Sequence, residues 1–255
     1  MRKVASGLLP VLLPIGLFVG AGCGSSSSKP PIDTTGPYVP LKIGNQWRYN
    51  VTDTDGTVSA KVQGVTAMGV VGGTGPAATT MAFKLVTGDK YDDKNGDVSY
   101  QNWADARLVR YREVSVGGSS GKTKKEEYYD GQFKMRVWDD AEHTSAGASW
   151  TERYKTYTVD TPKTPDDAGA PADGGTTVDA GLITTEEMTL EVWSVAAVDE
   201  MVTVPAGTFK ALVLEKVVPA SGSDKKFWFV RGVGKVKETG VGDQTEELSQ
   251  VTIMP

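Results

Sequence analysis

The sequence predicts an all-β or mostly β protein: a single curved antiparallel sheet, a half-barrel or open barrel of about ten strands, interrupted by one disordered acidic loop rich in Pro, Gly and Ala. Three observations predict it. Apolar residues recur at period two along much of the chain, the interval at which strand side chains return to the same face. No segment carries an apolar stripe at three- and four-residue steps over three turns, as an amphipathic helix requires. The alternating runs follow one another at intervals of roughly 10 to 15 residues with Gly, Asp and Asn between them, which suits hairpins and leaves no room for parallel crossovers.

The first run, Gln46-Trp47-Arg48-Tyr49-Asn50-Val51, places Trp47, Tyr49 and Val51 on one face and Gln46, Arg48 and Asn50 toward water. Val58, Ala60 and Val62 alternate with Ser59, Lys61 and Gln63, and Asp55-Gly56 between the two runs supplies the positive φ of a tight reversal. Met81, Phe83 and Leu85 form the next strand, then Val98 and Tyr100, then Phe133, Met135 and Val137 against Gln132, Lys134 and Arg136. Met188, Leu190 and Val192 sit opposite Glu187, Thr189 and Glu191. Phe209 to Val218 and Phe227-Trp228-Phe229-Val230 are apolar on both faces, the pattern of strands covered on both sides.

The body is expected as one β domain over 38–255. Within it, 160–181 reads DTPKTPDDAGAPADGGTTVDAG, without an aromatic residue and with little apolar bulk. Such a segment cannot bury enough surface to offset the entropy of ordering it, so a disordered insertion between two strands is expected there. Gly69–Thr80 and Gly117–Lys125 read as shorter loops.

Residues 1–22 have three parts: the cations Arg2 and Lys3, an apolar run from Leu8 to Val19 broken by Pro10 and Pro14, and the small residues Gly20-Ala21-Gly22 before Cys23. The run is too short to span a bilayer. The segment resembles a bacterial lipoprotein signal, although Gly20 stands where Leu is usual, three places before the cysteine. That resemblance implies removal of 1–22 and lipidation of Cys23, which becomes the new N-terminus and joins the protein to the membrane. The Gly/Ser/Pro stretch that follows makes 23–37 a flexible tether. Several acyl chains at about 0.8 kcal/mol per buried methylene make such attachment effectively permanent. The same resemblance, with Gly24 rather than Asp after the cysteine, implies a cell-envelope protein of the outer membrane.

Three further pieces resemble a broad group of poorly characterised bacterial exported proteins and lipoproteins. They are Gly44-Asn45-Gln46-Trp47-Arg48-Tyr49, Val204-Pro205-Ala206-Gly207-Thr208-Phe209, and Phe227-Trp228-Phe229 with Gly232-Val233-Gly234-Lys235-Val236. The resemblance implies a curved sheet loosely similar to lipoprotein-carrier half-barrels; it concerns architecture more than activity. Read from the residues alone, Pro205 fixes its own φ ahead of a strand, Gly207 permits the turn, and Gly232 and Gly234 leave room for a bulky neighbour or a bend.

The charge balance of −5, from 27 basic and 32 acidic residues, together with the lack of a basic block, excludes nucleic acid as an expected partner. One histidine, His143, cannot build a multi-histidine metal centre, and one cysteine offers no disulfide. No metal or cofactor is expected. Gly117–Thr123 and Gly73–Ala78 loosely match phosphate and dinucleotide loops but lack the helix that both need. Asp53–Gly56 and Asp92–Asp97 read as turns, since no bidentate Glu follows at the spacing of a calcium loop. The doublets Glu126-Glu127, Asp139-Asp140, Glu186-Glu187 and Glu246-Glu247 point to opposite faces of a strand and form no facing acid pairs by themselves.

Two functions are weighed. The first is a non-enzymatic envelope lipoprotein that binds or scaffolds, with a lipid, a hydrophobic peptide or an envelope protein as partner. Its sharper form has an apolar groove lined by Trp47, Tyr49, Phe83, Phe133, Phe209, Phe227 and Phe229. The alternative is a secreted hydrolase of envelope or extracellular polymers, which requires two carboxylates from separate strands converging in a cleft, one with a raised pKa.

Overall fold

The computed structural model describes residues 35–88, 96–116, 122–131, 134–162, 183–240 and 244–255. Residues 1–34, on which the expected signal, Cys23 and most of the expected tether fall, lie outside the described residues, as do Phe133 and 163–181 of the expected insertion. Thirteen strands follow in order: β1 (Gln46–Thr52), β2 (Val58–Val70), β3 (Met81–Gly88), β4 (Asp97–Ala104), β5 (Arg107–Val116), β6 (Lys122–Gly131), β7 (Lys134–Trp138), β8 (Ser149–Pro162), β9 (Ile183–Val204), β10 (Gly207–Val218), β11 (Ser223–Val230), β12 (Gly234–Thr239) and β13 (Thr245–Thr252). One short turn of helix, α1 (Ala141–Thr144), lies between β7 and β8. Asp160, Thr161 and Pro162, expected in the disordered loop, are the last residues of β8.

All pairings are antiparallel and join neighbours in sequence, apart from β1 with β13 and from β6 with β8, and β7 extends the line of β6 against the first half of β5. The sheet is therefore a meander, as its spacing predicts, but it is not open. Gln46 to Thr52 pairs with Thr252 back to Thr245 along the whole of β1, so twelve strands close into a barrel. The expectation of a half-barrel of ten strands is corrected here. The physical reason is edge satisfaction: an open sheet leaves two rows of unpaired N–H and C=O groups, and pairing the first strand with the last removes both. Alternation gives no warning of β5, β6 or β13, because their inward positions are largely polar, as at Arg110, Glu113, Glu127 and Glu246.

One end of the barrel is plugged by residues 36–44. Gly232 donates to Pro37 O at 2.9 Å, Trp103 Nε1 to Val39 O at 3.0 Å, and Asn45 Nδ2 to Pro40 O at 2.7 Å. Asn45, fully buried, also accepts from Met254 N at 2.8 Å. The Tyr38 ring lies under the Arg231 guanidinium at 4.3 Å. Tyr38, Val39 and Leu41 thus add to an internal apolar floor of Leu108, Val137, Trp193, Leu212, Leu214, Phe227 and Phe229.

Two pieces cover the outer wall. The distal half of the long β9–β10 hairpin bends away at irregularities around Ala211 to Leu214 and at Asp199, whose φ is 58°. Its tip donates from Ala206 N to Leu248 O on β13, where β12 and β13 have parted after three paired positions. Trp228 faces away from Phe227 and Phe229, and the hairpin covers it, with Glu200 accepting from its indole at 2.9 Å. On another quarter, residues 71–80 fold so that Val71 and Ala77 pack on Ala82, Val109 and Tyr111. Burial on both faces is why apolar residues at opposite parities are both interior.

Several expected faces are reversed. Met188 and Val192 are exposed, whereas Glu191 and Trp193 point inward. Val58 is exposed, while Lys61 and Gln63 line the interior opposite Tyr49 and Trp47. The close approach anticipated for the Gly232-Gly234 pair is present: Gly234 has φ +112°, and a Cβ there would come within 2.8 Å of Trp47 Nε1. Trp47 Nε1 donates to Val233 O, and Tyr49 Oη to Lys235 O at 3.0 Å, which locks the G-N-x-W-x-Y strand onto the G-V-G-x-V hairpin. Gly234→Ala is expected to lose about 2–3 kcal/mol of stability in urea titration. Gly56→Ala, at φ +82° with nothing within 4 Å, is expected to lose only about 1 kcal/mol.

Candidate functional site

The candidate site is the barrel interior. Antiparallel register brings side chains from paired strands onto one inner surface: Tyr49 opposite Lys61, Val51 opposite Glu246 across the seam, Phe227 opposite Glu238, Phe229 opposite Lys235, and Trp193 opposite Lys216. Three irregularities add charge to it. On β5, Tyr111 has no opposite partner on β4, so Arg110 and Glu113, three apart, share a face and form an ion pair. On β12, Val236 is the extra residue, and Lys235 meets Glu238 in the same way. On β7, Arg136 is the extra residue between Met135 and Val137, and it joins Lys134 inside. Such bulges redirect side chains that strict alternation would send outward.

Above the apolar floor, most of these charges form a network. Glu238 accepts from Lys225 at 2.7 Å and from Lys235; Glu246 accepts from Lys235 at 2.7 Å and from Lys61. Burial favours the neutral acid at Glu238, yet Lys235 and Lys225 outweigh it and hold this carboxyl well below the usual carboxylate range. Burial likewise opposes the Lys235 charge, and Glu238 and Glu246 reverse that effect, so its pKa is raised. Glu191, 2 % exposed, accepts from Tyr154 Oη at 2.9 Å, Trp193 Nε1 at 3.1 Å and Lys216 Nζ at 2.9 Å.

The side chains do not fill the barrel. Two adjoining cavities of about 270 and 240 Å³ remain, and Arg110, Arg136, Lys225, Phe229 and Glu238 line both. The first also has Tyr49, Lys61, Gln63, Gln101, Glu113, Lys235 and Glu246. The second has Lys134, Lys216, Trp193 and Phe227, so five cations and three aromatic rings surround it with Glu238 as the one carboxylate. Burial, reinforced by the nearby Arg110 charge, pushes the Lys134 ammonium down to about 8; the same two causes lower Arg136.

Of the seven aromatic residues predicted for a groove, Trp47, Tyr49, Phe227 and Phe229 line these cavities. Phe83 and Phe209 are half-buried and pack against the cluster around Trp47 and Trp228 without lining either cavity. Phe133 and Cys23 lie outside the described residues. The cavity cations escape sequence reading because Lys134 and Arg136 sit at positions that alternation assigns to solvent. The available signals are the opposite charges three apart at Arg110/Glu113 and Lys235/Glu238, which meet on a strand only across a bulge.

The Glu246-Glu247 doublet splits between faces as expected, with Glu246 inward and Glu247 paired with Lys237, whereas Asp139-Asp140 lie between β7 and α1 rather than in a strand. His143 stacks on Trp138 with centroids 4.0 Å apart, and its Nδ1 lies 2.8 Å from Asp140. Asp55 accepts from Thr57 N at 2.8 Å, the turn chemistry expected of Asp53–Gly56. Three carboxylate pairs face each other from separate strands: Glu113 with Glu127 and Glu238 with Glu246, all four held below the usual carboxylate range by neighbouring cations and hydrogen-bond donors, and Glu152 on β8 with Glu191 on β9, both 2 % exposed. Burial raises the Glu152 pKa, but neither Glu152 nor Glu191 lines the two cavities.

No protein-family model, curated protein or solved structure matches the chain.

Glu191→Ala strands Lys216 beside Trp193 and is expected to cost about 3–5 kcal/mol in chemical denaturation, part of it recovered by adding Lys216→Met. Lys134 carries a pH signature. As pH rises through about 8 the folded protein sheds a proton that the unfolded chain keeps to about 10.4, so stability climbs across that window. Relative to Lys134→Met, the native protein is expected to be less stable at pH 7, by about 1–3 kcal/mol, and to close that gap by pH 10.

Proposed function

We propose that this protein is a lipid-anchored component of the bacterial cell envelope, held at the outer membrane through an acylated Cys23, and that its barrel binds a small molecule in the lumen without transforming it. The observation that carries the binding reading is the pair of adjoining cavities inside a closed ring, of about 270 and 240 Å³, walled by aromatic rings and fixed charges. Ligand sites in small barrels combine these parts: a preformed enclosure, apolar walls and a few polar groups held in place by their neighbours. The ion-pair network supplies that fixing, since Lys235, Glu238 and Glu246 restrain one another.

The mixed lining favours an amphiphilic or polar guest over the hydrocarbon chain of an apolar groove. Hydrolysis is disfavoured as a reading. Glu238 and Glu246 face each other in the cavity lining, but lysines hold both below the usual carboxylate range, so neither supplies an acid; Glu152, whose pKa is raised, faces Glu191 away from the cavities, and three donors already occupy Glu191. Attachment through Cys23 also leaves the outer wall free of any need to bind a membrane, in keeping with exposed Arg48, Arg153, Glu186 and Glu215 beside exposed Met188 and Val192.

Two measurements test this reading. Native mass spectrometry of the full-length protein extracted from its own envelope is expected to show a small-molecule adduct that disappears on denaturation; a bare mass in repeated preparations would overturn ligand binding. In membrane fractionation, Cys23→Ser is expected to move the protein from the membrane pellet to the soluble fraction, and unchanged sedimentation of the variant would remove the lipid anchor.

A further inference from the structure

We propose that the inner part of the lumen is a site for an organic anion, a carboxylate or phosphate joined to a small aromatic or aliphatic body, gripped by Lys134 and Arg136. The proposal rests on the lumen being a binding site and states the chemistry it selects.

Lys61, Lys235 and Lys225 are matched to Glu246 and Glu238, Arg110 to Glu113, and Lys216 to Glu191. Lys134 and Arg136 have no such close match: among the described residues neither forms an ion pair and the Arg136 side chain makes no hydrogen bond, while Glu113 acts on both, and Glu127 on Lys134, only at longer range. The contact Lys134 does make is with the Tyr129 ring, 5.2 Å from its centroid. Filling space does not explain the pair. Methionine or leucine would fill the same volume without the desolvation cost of two unmatched charges, and the bulge at Arg136 lets it share the interior with both Lys134 and Val137. The bulge and the unmatched charges together mark a place kept positive for something that is not part of the chain.

Geometry then narrows the guest. The cavity of about 240 Å³ has Lys134, Arg136 and Lys216 together with Trp193, Phe227 and Phe229 in its lining. A guanidinium offers a planar fork of donors to a carboxylate or phosphate, and an ammonium beside it adds a point charge. The rings suit a phenyl-sized or short aliphatic body, and the volume is too small for a two-chain lipid. Glu238, the one carboxylate in this lining, is already shared between Lys225 and Lys235 and does not neutralise the pair. The depressed Lys134 pKa fits the same account, since a nearby anion would remove the repulsion that contributes to it.

The test is calorimetric titration of the full-length protein in a non-ionic detergent at pH 7 and low chloride. Phenyl phosphate and phenylacetate are the anionic probes; 2-phenylethanol, phenethylammonium and inorganic phosphate are the controls. Both anionic probes are expected to bind at least tenfold more tightly than any control. Lys134→Met and Arg136→Met are each expected to weaken that binding at least tenfold while raising the melting temperature, so that lost affinity cannot be lost folding. If 2-phenylethanol binds as tightly as phenyl phosphate, or the Met variants keep full affinity, the anion proposal is overturned while the lumen remains a binding site. Equal affinity for inorganic phosphate overturns the apolar half of the proposal. If no probe binds, the anion proposal fails, and if the native protein also carries no adduct, the lumen reading fails with it.

Discussion

The pairing of β1 with β13 is the constraint on which the rest of the structure depends. Once the first and last strands are joined along seven positions, the ring is closed, with β6 and β7 together filling one place beside β5, and the inward-pointing side chains have nowhere to go but the interior. A twelve-stranded ring is wide. Aliphatic side chains reach across a narrow barrel and fill it, but they do not fill one of this girth. The chain responds with an apolar floor built on the 36–44 plug and, above it, long charged side chains that meet in mid-lumen as ion pairs. Those pairs confer order more than net stability, because each buried charge sacrifices hydration that its partner must replace. Lys235, bound by both Glu238 and Glu246, shows the compensation at its fullest.

Closure also explains the two outer covers. Strands that present charge inward leave apolar residues facing outward, and the β9–β10 hairpin and residues 71–80 each bury a patch of them. The hairpin does double duty: Ala206 at its tip supplies the hydrogen bond that Leu248 O lacks where β12 and β13 diverge. Trp47 and Tyr49 bind the carbonyls of Val233 and Lys235 near the same gap. Covering and sealing are thus parts of one arrangement, and the residues of the G-N-x-W-x-Y, V-P-A-G-x-F and G-V-G-x-V pieces meet in it.

How much was legible beforehand follows from this architecture. The β class was readable, because period two marks strands such as β1 to β4 and β9 to β11; the meander followed from the short turn-rich connections. The Trp47/Tyr49 face was readable because large aromatics in alternation have one plausible destination, and the Gly234 approach because only a missing Cβ explains a glycine inside a strand. Closure was not readable, since β13 alternates too weakly to announce itself and pairing partners 200 residues apart leave no local trace. The lumen cations were hidden for a sharper reason. Hydrophobic patterning assumes that the inside is apolar, and at Lys61, Lys134, Arg136 and Glu191 the inside is polar. Each bulge then breaks parity once more, so that even a correct face at Arg110 gives the wrong one at Glu113.

Because the seam joins Gln46–Thr52 to Thr245–Thr252, the chain carries two unsatisfied edges until β13 has been synthesised. Trp47 and Tyr49 ride on one of those edges throughout. Neither a nascent chain nor a product truncated before β13 has any way to shield them, and each is a template for association with another copy.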